Sequence, residues 1–252
     1  MRTLALSTLM LLALSLAPHS SHAEKMMVTG PKVPLGLGWA ASTVIIHHGK
    51  IKNIGMILSG KVLDGLPDHE QETLITLPQS VFAPPYDHFI INWNPHGHEP
   101  TGVYTSPHFD FHFYFISYED QHNIRCDETD NALCLKQPDA DRVPPYYVPG
   151  PAGVPMMGWH WVDPRSPEFN GKPFTATYIY GFYNGVITFV EPMITLDFLK
   201  NFSSFCKDVP VPQTAAKPGY YPTNYSVSYD ASTDTISIML NKLVWLNDKT
   251  TH

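Results

Sequence analysis

Hydrophobic and polar side chains alternate strictly along the segment HFDFHFYF, from His108 to Phe115. Successive side chains of an extended strand point to opposite faces. The pattern therefore predicts a strand with four phenylalanines on one face and with His108, Asp110, His112 and Tyr114 on the other. The phenylalanine face suits a packed core, which leaves a row of potential metal ligands or proton carriers on the opposite face.

Other runs of β-branched and aromatic residues predict further strands at 42–48, 52–62, 74–77, 88–93, 175–183, 186–190, 225–229 and 235–240. Asn184-Gly185 predicts a tight hairpin, because both residue types accept the positive φ of a type I′ turn. One helix is predicted after the candidate N-cap Thr195, with an apolar stripe at helical spacing. The stripe consists of Leu196, Leu199, Phe202 and Phe205.

These elements predict a mainly β protein, an antiparallel barrel or sandwich with one or two helices and long proline-rich connections. The connections are expected at 138–155 and 210–222, in a chain with 24 prolines. We expect residues 24–252 to form a single β-rich domain. An interdomain boundary near 138–155 is the alternative.

The first 23 residues are typical of a secretory signal peptide. Arg2 supplies a positive start, residues 3–17 are largely apolar, and Ser21-His22-Ala23 has the form of a cleavage site. The sequence thus predicts a periplasmic or secreted protein with no membrane span after cleavage. Its net charge of −7 argues against nucleic acid as a partner.

Three cysteines are present, and Cys126 and Cys134 flank a polar, turn-like loop. In an oxidising compartment these two are expected to form a disulfide. Cys206, which lies among phenylalanines, is expected to be a packed free thiol.

The polar face of the 108–115 strand predicts a metal site. Side chains two residues apart on a strand are about 7 Å apart at Cα, whereas His108 and His112 are separated by about 13 Å. Asp110 should therefore share an ion with either His108 or His112. His98 in the preceding turn, His160 between two tryptophans and Glu191 at a strand end are the further candidate ligands. Imidazole and carboxylate suit divalent transition metals, with zinc as the first candidate.

Three residues are candidates for acid/base catalysis beside such an ion: Glu191, Glu99 and Tyr114. The competing interpretation is a solvated strand face whose histidines are only hydrogen-bonded scaffold. Another set of histidines is expected at the surface or in turns, namely His47, His48, His69, His88 and His122.

Five motifs together resemble a poorly characterised family of exported bacterial proteins that share a domain of unknown function. They lie at 93–100, 107–114, 158–161, 180–181 and 189–195, and the resemblance runs from about Gly38 to the C-terminal strands. It implies an exported β-rich protein with a polar cluster and leaves oligomer formation open. The family's polar motif positions fall on His98, His108, Asp110, His112, His160 and Glu191.

Two functions therefore remain open. The first is an exported metal-binding protein, which includes a small metalloenzyme acting on an unidentified small molecule. The second is a non-enzymatic, homo-oligomeric envelope protein that binds a small ligand or a partner through aromatic residues in the proline-rich connections. Those residues are Tyr146, Tyr147, Tyr220 and Tyr221.

Overall fold

The computed structural model describes residues 25–201 and 204–249, so the predicted signal peptide, residues 1–23, lies outside the described residues. The strands are β1 (Lys25–Thr29), β2 (Val33–Leu35), β3 (Gly38–His47), β4 (Lys50–Ser59), β5 (Gln71–Thr76), β6 (His88–Asn94), β7 (His108–Tyr114), β8 (Val148–Val154), β9 (Gly158–Val162), β10 (Ala176–Tyr183), β11 (Val186–Thr195), β12 (Phe205–Asp208), β13 (Gly219–Tyr221), β14 (Asn224–Asp230), β15 (Thr235–Asn241) and β16 (Val244–Leu246). The α-helices are α1 (Tyr118–His122), α2 (Asn131–Cys134) and α3 (Leu196–Lys200), and 3-10 turns lie at Gly60–Leu63, Ala140–Arg142 and Pro167–Asn170.

Two antiparallel sheets make up most of the described chain. The first has the strand order β1-β3-β4-β15-β14-β12, with β2 also paired to β3, and the second has the order β5-β6-β7-β11-β10-β9-β8. A small third sheet pairs β13 with β16. The arrangement is a sandwich, and within the described residues the sheets do not close into a barrel. The mainly β, antiparallel prediction is therefore confirmed in its sandwich form.

The main hydrophobic core lies between the two large sheets. Val44, Ile54 and Ile238 contribute to it from the first sheet, and the phenylalanines of β7 contribute from the second. Phe109, Phe111 and Phe113 are all fully buried there. The two-residue period of β7 thus directs its aromatic side chains inward, as the sequence predicts, and directs the polar side chains to the outer face of the second sheet.

The hairpin prediction at Asn184-Gly185 is confirmed. These residues link β10 to β11 with φ angles of 52° and 74°. Thr195 is also confirmed as a cap, because its side-chain oxygen accepts a hydrogen bond from the backbone N–H of Phe198.

The helix after Thr195 is shorter than the apolar stripe predicts. Helix α3 ends at Lys200, and Phe205 belongs to strand β12, where its ring packs against Tyr225. Phe202 lies outside the described residues. The segment Phe205–Asp208 pairs with β14, and this cross-strand pairing makes it a strand although Phe205 continues the helical spacing of the apolar stripe. No helix among the described residues is long and apolar enough to cross a bilayer.

The proline-rich segment 138–155 is not only a connection. Its second half forms β8, which lies at the edge of the second sheet and pairs with β9. An edge position suits prolines, because their missing N–H then faces away from the ladder. In the same way, 210–222 contains the short strand β13.

The disulfide between Cys126 and Cys134 is confirmed. It packs against Gly153 of β8, where a Cβ atom would lie only 2.1 Å from the Cys134 sulfur. Cys206 is free but exposed rather than packed, and its thiol donates a hydrogen bond to the Asn224 side chain. The expectation of a buried thiol is wrong because its strand, β12, lies at the edge of the first sheet.

Replacing both bridged cysteines by serine should lower the free energy of unfolding by about 2–3 kcal/mol, because the bridge closes a short loop in the unfolded chain. Urea unfolding of the Cys126→Ser/Cys134→Ser variant measures the loss. Cys206→Ser is the matched control and should unfold like the wild type. An unchanged midpoint in the double variant would contradict the stabilising role of the bridge.

Candidate metal centre

Six imidazole and carboxylate side chains converge on the outer face of the second sheet. His108, Asp110 and His112 project from β7, and all three are buried although they point away from the main core. Two small apolar clusters cover this face: one contains Tyr114 and Phe189, and the other contains Tyr104 and Phe174. The polar face is therefore enclosed, and the solvated-strand interpretation is wrong.

The six side chains form two groups, each close enough to hold a metal ion. The aspartate group consists of His98, His108 and Asp110, and the glutamate group consists of His112, His160 and Glu191. Within each group, the ligand atoms lie within 4.8 Å of one another. The sequence predicts one shared metal site, whereas the structure separates the donors into two neighbouring groups.

In the aspartate group, one carboxylate faces two imidazoles. Nε2 of His108 lies 3.1 Å from Oδ1 of Asp110, and Nε2 of His98 lies 3.3 Å from Oδ2. Asn94, which faces the same side from β6, donates a hydrogen bond of 2.7 Å to Oδ2. The carboxylate is thus held in place from a neighbouring strand while its other lone pairs face the imidazoles.

Backbone carbonyls fix the orientation of both imidazoles. Nδ1 of His108 lies 2.7 Å from the carbonyl oxygen of Ser106, and Nδ1 of His98 lies 2.7 Å from that of Glu99. A carbonyl oxygen only accepts, so each Nδ1 carries the hydrogen. In the neutral ring, Nε2 then presents a lone pair to the Asp110 carboxylate. Such a contact is repulsive unless a second proton or a cation lies between the two atoms.

The loop between β6 and β7 brings His98 to this position. Gly97 has a φ of 68°, and a Cβ atom on it would lie 2.1 Å from the Tyr104 carbonyl oxygen. The His98 N–H donates to that same oxygen at 3.0 Å. Only glycine combines the positive φ with so close a backbone contact, so Gly97 lets the loop fold back over the strand.

The glutamate group spans four strands. Its carboxylate, on β11, lies beside β7, since Val190 pairs with Phe113 and Met193 pairs with Asp110. Nε2 of His112 is 3.5 Å from Oε1 of Glu191, and Nε2 of His160, on β9, is 3.7 Å from Oε2. These distances exceed those of hydrogen bonds. The atoms face each other with a gap.

Gly181 makes the reach from β9 to β11 possible. It pairs with His160 on one side and with Phe189 on the other, and a Cβ atom on it would meet the Phe189 ring at 2.1 Å. The Phe189 ring instead occupies that space, with its centroid 4.8 Å from the ring of His112 and 5.4 Å from that of His160. The missing side chain thus lets two imidazoles pack against one aromatic ring.

The two groups balance charge in opposite ways. Burial raises the pKa of Asp110, but the contacts and charges of His108 and His98 outweigh burial and hold this pKa well below its usual range. Burial lowers the pKa of His98, but the hydrogen bond and charge of Asp110 outweigh it, so the net shift is upward. Without an ion, the aspartate group therefore favours a carboxylate beside an imidazolium.

The glutamate group favours the neutral forms. Burial lowers the pKa of His112 to about 3 and that of His160 to about 4. Burial, followed by the charge of Asp110, raises the pKa of Glu191 well above its usual value. Neutral imidazole is the form that binds metal, and a divalent ion would supply the positive charge that this carboxylate lacks.

Several donor atoms of both groups are buried and have no hydrogen-bond partner within the described chain. They are His108 Nε2, Asp110 Oδ1, both ring nitrogens of His112 and Oε2 of Glu191. Native interiors rarely leave such atoms unsatisfied.

The distances between the donor atoms also fit a shared ion. Two ligands at about 2.1 Å from one ion, in tetrahedral geometry, are about 3.4 Å apart. The contacts of 3.1–3.7 Å match that spacing.

Two predicted catalytic residues take other positions. Glu99 is exposed, and its carboxylate accepts hydrogen bonds from the Thr101 hydroxyl at 2.8 Å, so it does not join either group. Tyr114 is buried, and its hydroxyl donates to the Met156 carbonyl at 3.3 Å. Burial raises its pKa well above the ordinary value. Tyr114 is therefore a neutral packing residue beside the ring of His112.

Three further residues of this face were not predicted from the sequence. His88, expected at the surface, is buried; its ring stacks on Tyr114 at 4.8 Å, and its nitrogens face Asp87 and Gln121. Asn94, at the end of β6, donates the hydrogen bond that holds Asp110. Tyr104 packs edge-on against His98. The alternation of β6 could have identified His88 and Asn94, because both lie opposite polar residues of β7.

No protein-family model matches the chain, and no curated protein or solved structure is significantly similar to it.

The lowered pKa of His112 predicts an acid-dependent loss of stability in the metal-free protein. The unfolded state gains a proton at about pH 6.5, whereas the folded state gains it only at about pH 3. This contribution is complete above pH 6.5 and decreases as the pH falls. His112→Asn should therefore reduce the stability difference between pH 7 and pH 5 by roughly 2 kcal/mol. Urea unfolding with a chelator at both pH values measures it.

The raised pKa of Glu191 acts with the opposite sign, since it makes stability fall as the pH rises. Comparing the wild type with His112→Asn cancels that contribution, because Glu191 is present in both proteins. Equal pH dependences of unfolding in the two proteins would contradict the neutral state of His112.

Proposed function

We propose that the chain is an exported metal-binding protein whose aspartate and glutamate groups hold divalent transition metal ions, with zinc as the first candidate. One observation carries the proposal. Imidazole nitrogens and buried carboxylate oxygens face each other at 3.1–3.7 Å, and several of these atoms have no hydrogen-bond partner among the described residues. A cation in each gap would satisfy them.

The donor types select the class of metal. Each group offers two imidazole nitrogens and one carboxylate. Calcium and magnesium prefer oxygen ligands, and thiolate-dependent sites need cysteine, so this set suits zinc, copper, iron, nickel or manganese. The backbone carbonyls that fix His98 and His108 resemble the supports that commonly orient metal-binding histidines.

Three protein donors leave one coordination position for water in a tetrahedral site. An ion held this way lowers the pKa of its water and can polarise a carbonyl. Solvent can approach each group at its least buried member, since the side chains of His98 and His160 are 36% and 20% exposed. The arrangement therefore supports a small metal-dependent hydrolase as the finer form of the proposal, with Glu191 as an ion ligand.

Export is supported by the disulfide, because such bonds persist mainly in oxidising compartments. The signal-like segment 1–23 leads to the same expectation. Periplasmic or secreted localisation therefore forms part of the proposal.

The alternative is a non-enzymatic, oligomeric envelope protein. Of the four tyrosines expected to contact neighbours, Tyr147 and Tyr221 are buried in the core of this chain. Tyr146 is exposed but lies under the guanidinium of Arg165, and Tyr220 packs against Trp245. These intramolecular contacts weaken the alternative, which light scattering on the purified chain would test directly.

Combined loss of both carboxylates should remove the metal. Asp110→Asn/Glu191→Gln keeps the side-chain shapes but removes both anionic ligands, so we expect zinc affinity to fall by roughly a hundredfold or more. The wild type should also be stabilised by about 2.7 kcal/mol for each site at which zinc is present at a hundred times the Kd. Equilibrium dialysis with elemental analysis measures binding, and thermal unfolding measures stabilisation.

Glu99→Gln is the matched control, because the Glu99 carboxylate is exposed, lies in the same loop as His98 and belongs to neither group. It should bind zinc like the wild type. A wild-type chain that neither binds nor is stabilised by any of the candidate metals would overturn the proposed function.

A further inference from the structure

The aspartate and glutamate groups are neighbours on one surface, and neither shares a donor with the other. Asp110 and His112 follow one another on the same face of β7, so their attachment points are about 7 Å apart. Ions in the two groups would have a similar separation. No carboxylate bridges that distance, which distinguishes the arrangement from two-metal sites with ions about 3.5–4 Å apart.

The two groups would repel each other once both hold an ion. Each group would combine one divalent cation with one carboxylate and two neutral imidazoles, for a net charge of +1. An empty group carries no net charge when a proton neutralises its carboxylate. A loaded and an empty group therefore do not repel each other, whereas two loaded groups do. Among the described residues, no lysine or arginine forms an ion pair with the six donors, so the ions themselves dominate the local potential.

We infer that this face binds two metal ions with mutually weakening affinity, and that a small oxyanion bound at the ions' open positions relieves the repulsion. The inference rests on the proposed function and adds a stoichiometry and a ligand class to it. At an effective dielectric constant of about 20, which suits sites inside a protein, a neighbouring group with a charge of +1 about 7 Å away weakens the binding of the second ion by roughly tenfold or more.

The surroundings suit an anion of few atoms. Both donor groups lie on the outer face of the second sheet, and aromatic rings crowd them. Phe174 packs at 5.3 Å against His108, and Phe189 packs against both imidazoles of the glutamate group. Carboxylate or phosphonate oxygens are ligands that zinc accepts at about 2.0–2.2 Å. An oxyanion there would supply the negative charge that the protein itself does not provide.

The experiment compares stepwise zinc affinities in three proteins at one fixed pH. His98→Ala disables the aspartate group and His160→Ala disables the glutamate group, each through the least buried member, so that folding is least affected. Isothermal titration should give two ions for the wild type and one for each variant. The second Kd of the wild type should be about tenfold or more above the Kd of the weaker variant.

The titration is then repeated with acetate, with methylphosphonate and, at matched ionic strength, with perchlorate. Acetate or methylphosphonate should tighten the second zinc by severalfold, whereas perchlorate, a poor ligand, should not. By linkage, the anion that is effective should bind the doubly loaded protein more tightly than either variant.

Three outcomes separate the conclusions. No zinc bound by the wild type would overturn the proposed function itself. Zinc binding with one ion per chain, or with two ions whose affinities equal those of the two variants, would overturn only the present inference. A second affinity that acetate, methylphosphonate and perchlorate change equally would overturn the assigned oxyanion and leave the metal sites intact.

Discussion

The enclosure of two buried carboxylates among four imidazoles on one sheet face is the constraint on which the rest of this structure depends. An ionised carboxylate that leaves water without compensation is strongly unfavourable. Asp110 and Glu191 are both buried, and the chain compensates them differently. Asp110 receives a hydrogen bond from Asn94 and the positive charge of neighbouring imidazoles, whereas Glu191 has only neutral imidazoles beside it. A metal ion would resolve both situations with the same chemistry, since it replaces a proton in one group and supplies the missing charge in the other.

The fold creates this situation by covering both faces of β7. Antiparallel sheets usually leave one face in water. Here the inner face packs into the sandwich, while the loop that carries His98 and the segment closed by the Cys126–Cys134 bridge lie over the outer one. The bridge itself sits on Gly153, so a glycine in the edge strand determines how closely the cover approaches. Enclosure lowers the local dielectric, which strengthens every charge interaction among the six donors.

Much of this could be predicted from sequence because the information was local. The period of two from His108 to Phe115 determines which side chains lie on each face of β7. The positive φ angles that Asn184 and Gly185 accept determine the hairpin between β10 and β11, the strand that carries Glu191. The division into two groups was not local. It depends on the register between β7 and β11, which sets Glu191 beside His112, and on the missing side chain of Gly181, which lets His160 reach across β10. Neither is encoded by the spacing of the donors along the chain. The placement of His88 differs in this respect, because the alternation of β6 already sets it on the same face as Asn94, and pairing with Tyr114 then buries it.

Strand β7 contributes donors to both groups, and the two groups differ in what holds those donors in place. Side chains at 108 and 110 point towards the His98 loop, where backbone carbonyls orient the imidazoles before any ligand arrives. His112, two residues further, has no such anchor on either nitrogen and relies on ring packing against Phe189 and Tyr114. A preorganised group loses less conformational freedom when it binds an ion. In the glutamate group, an ion would instead provide a partner for buried donor atoms that have none. One strand thus presents two donor sets whose energies of ion binding would come from different sources, and their short separation makes the charge of each set part of the other's environment.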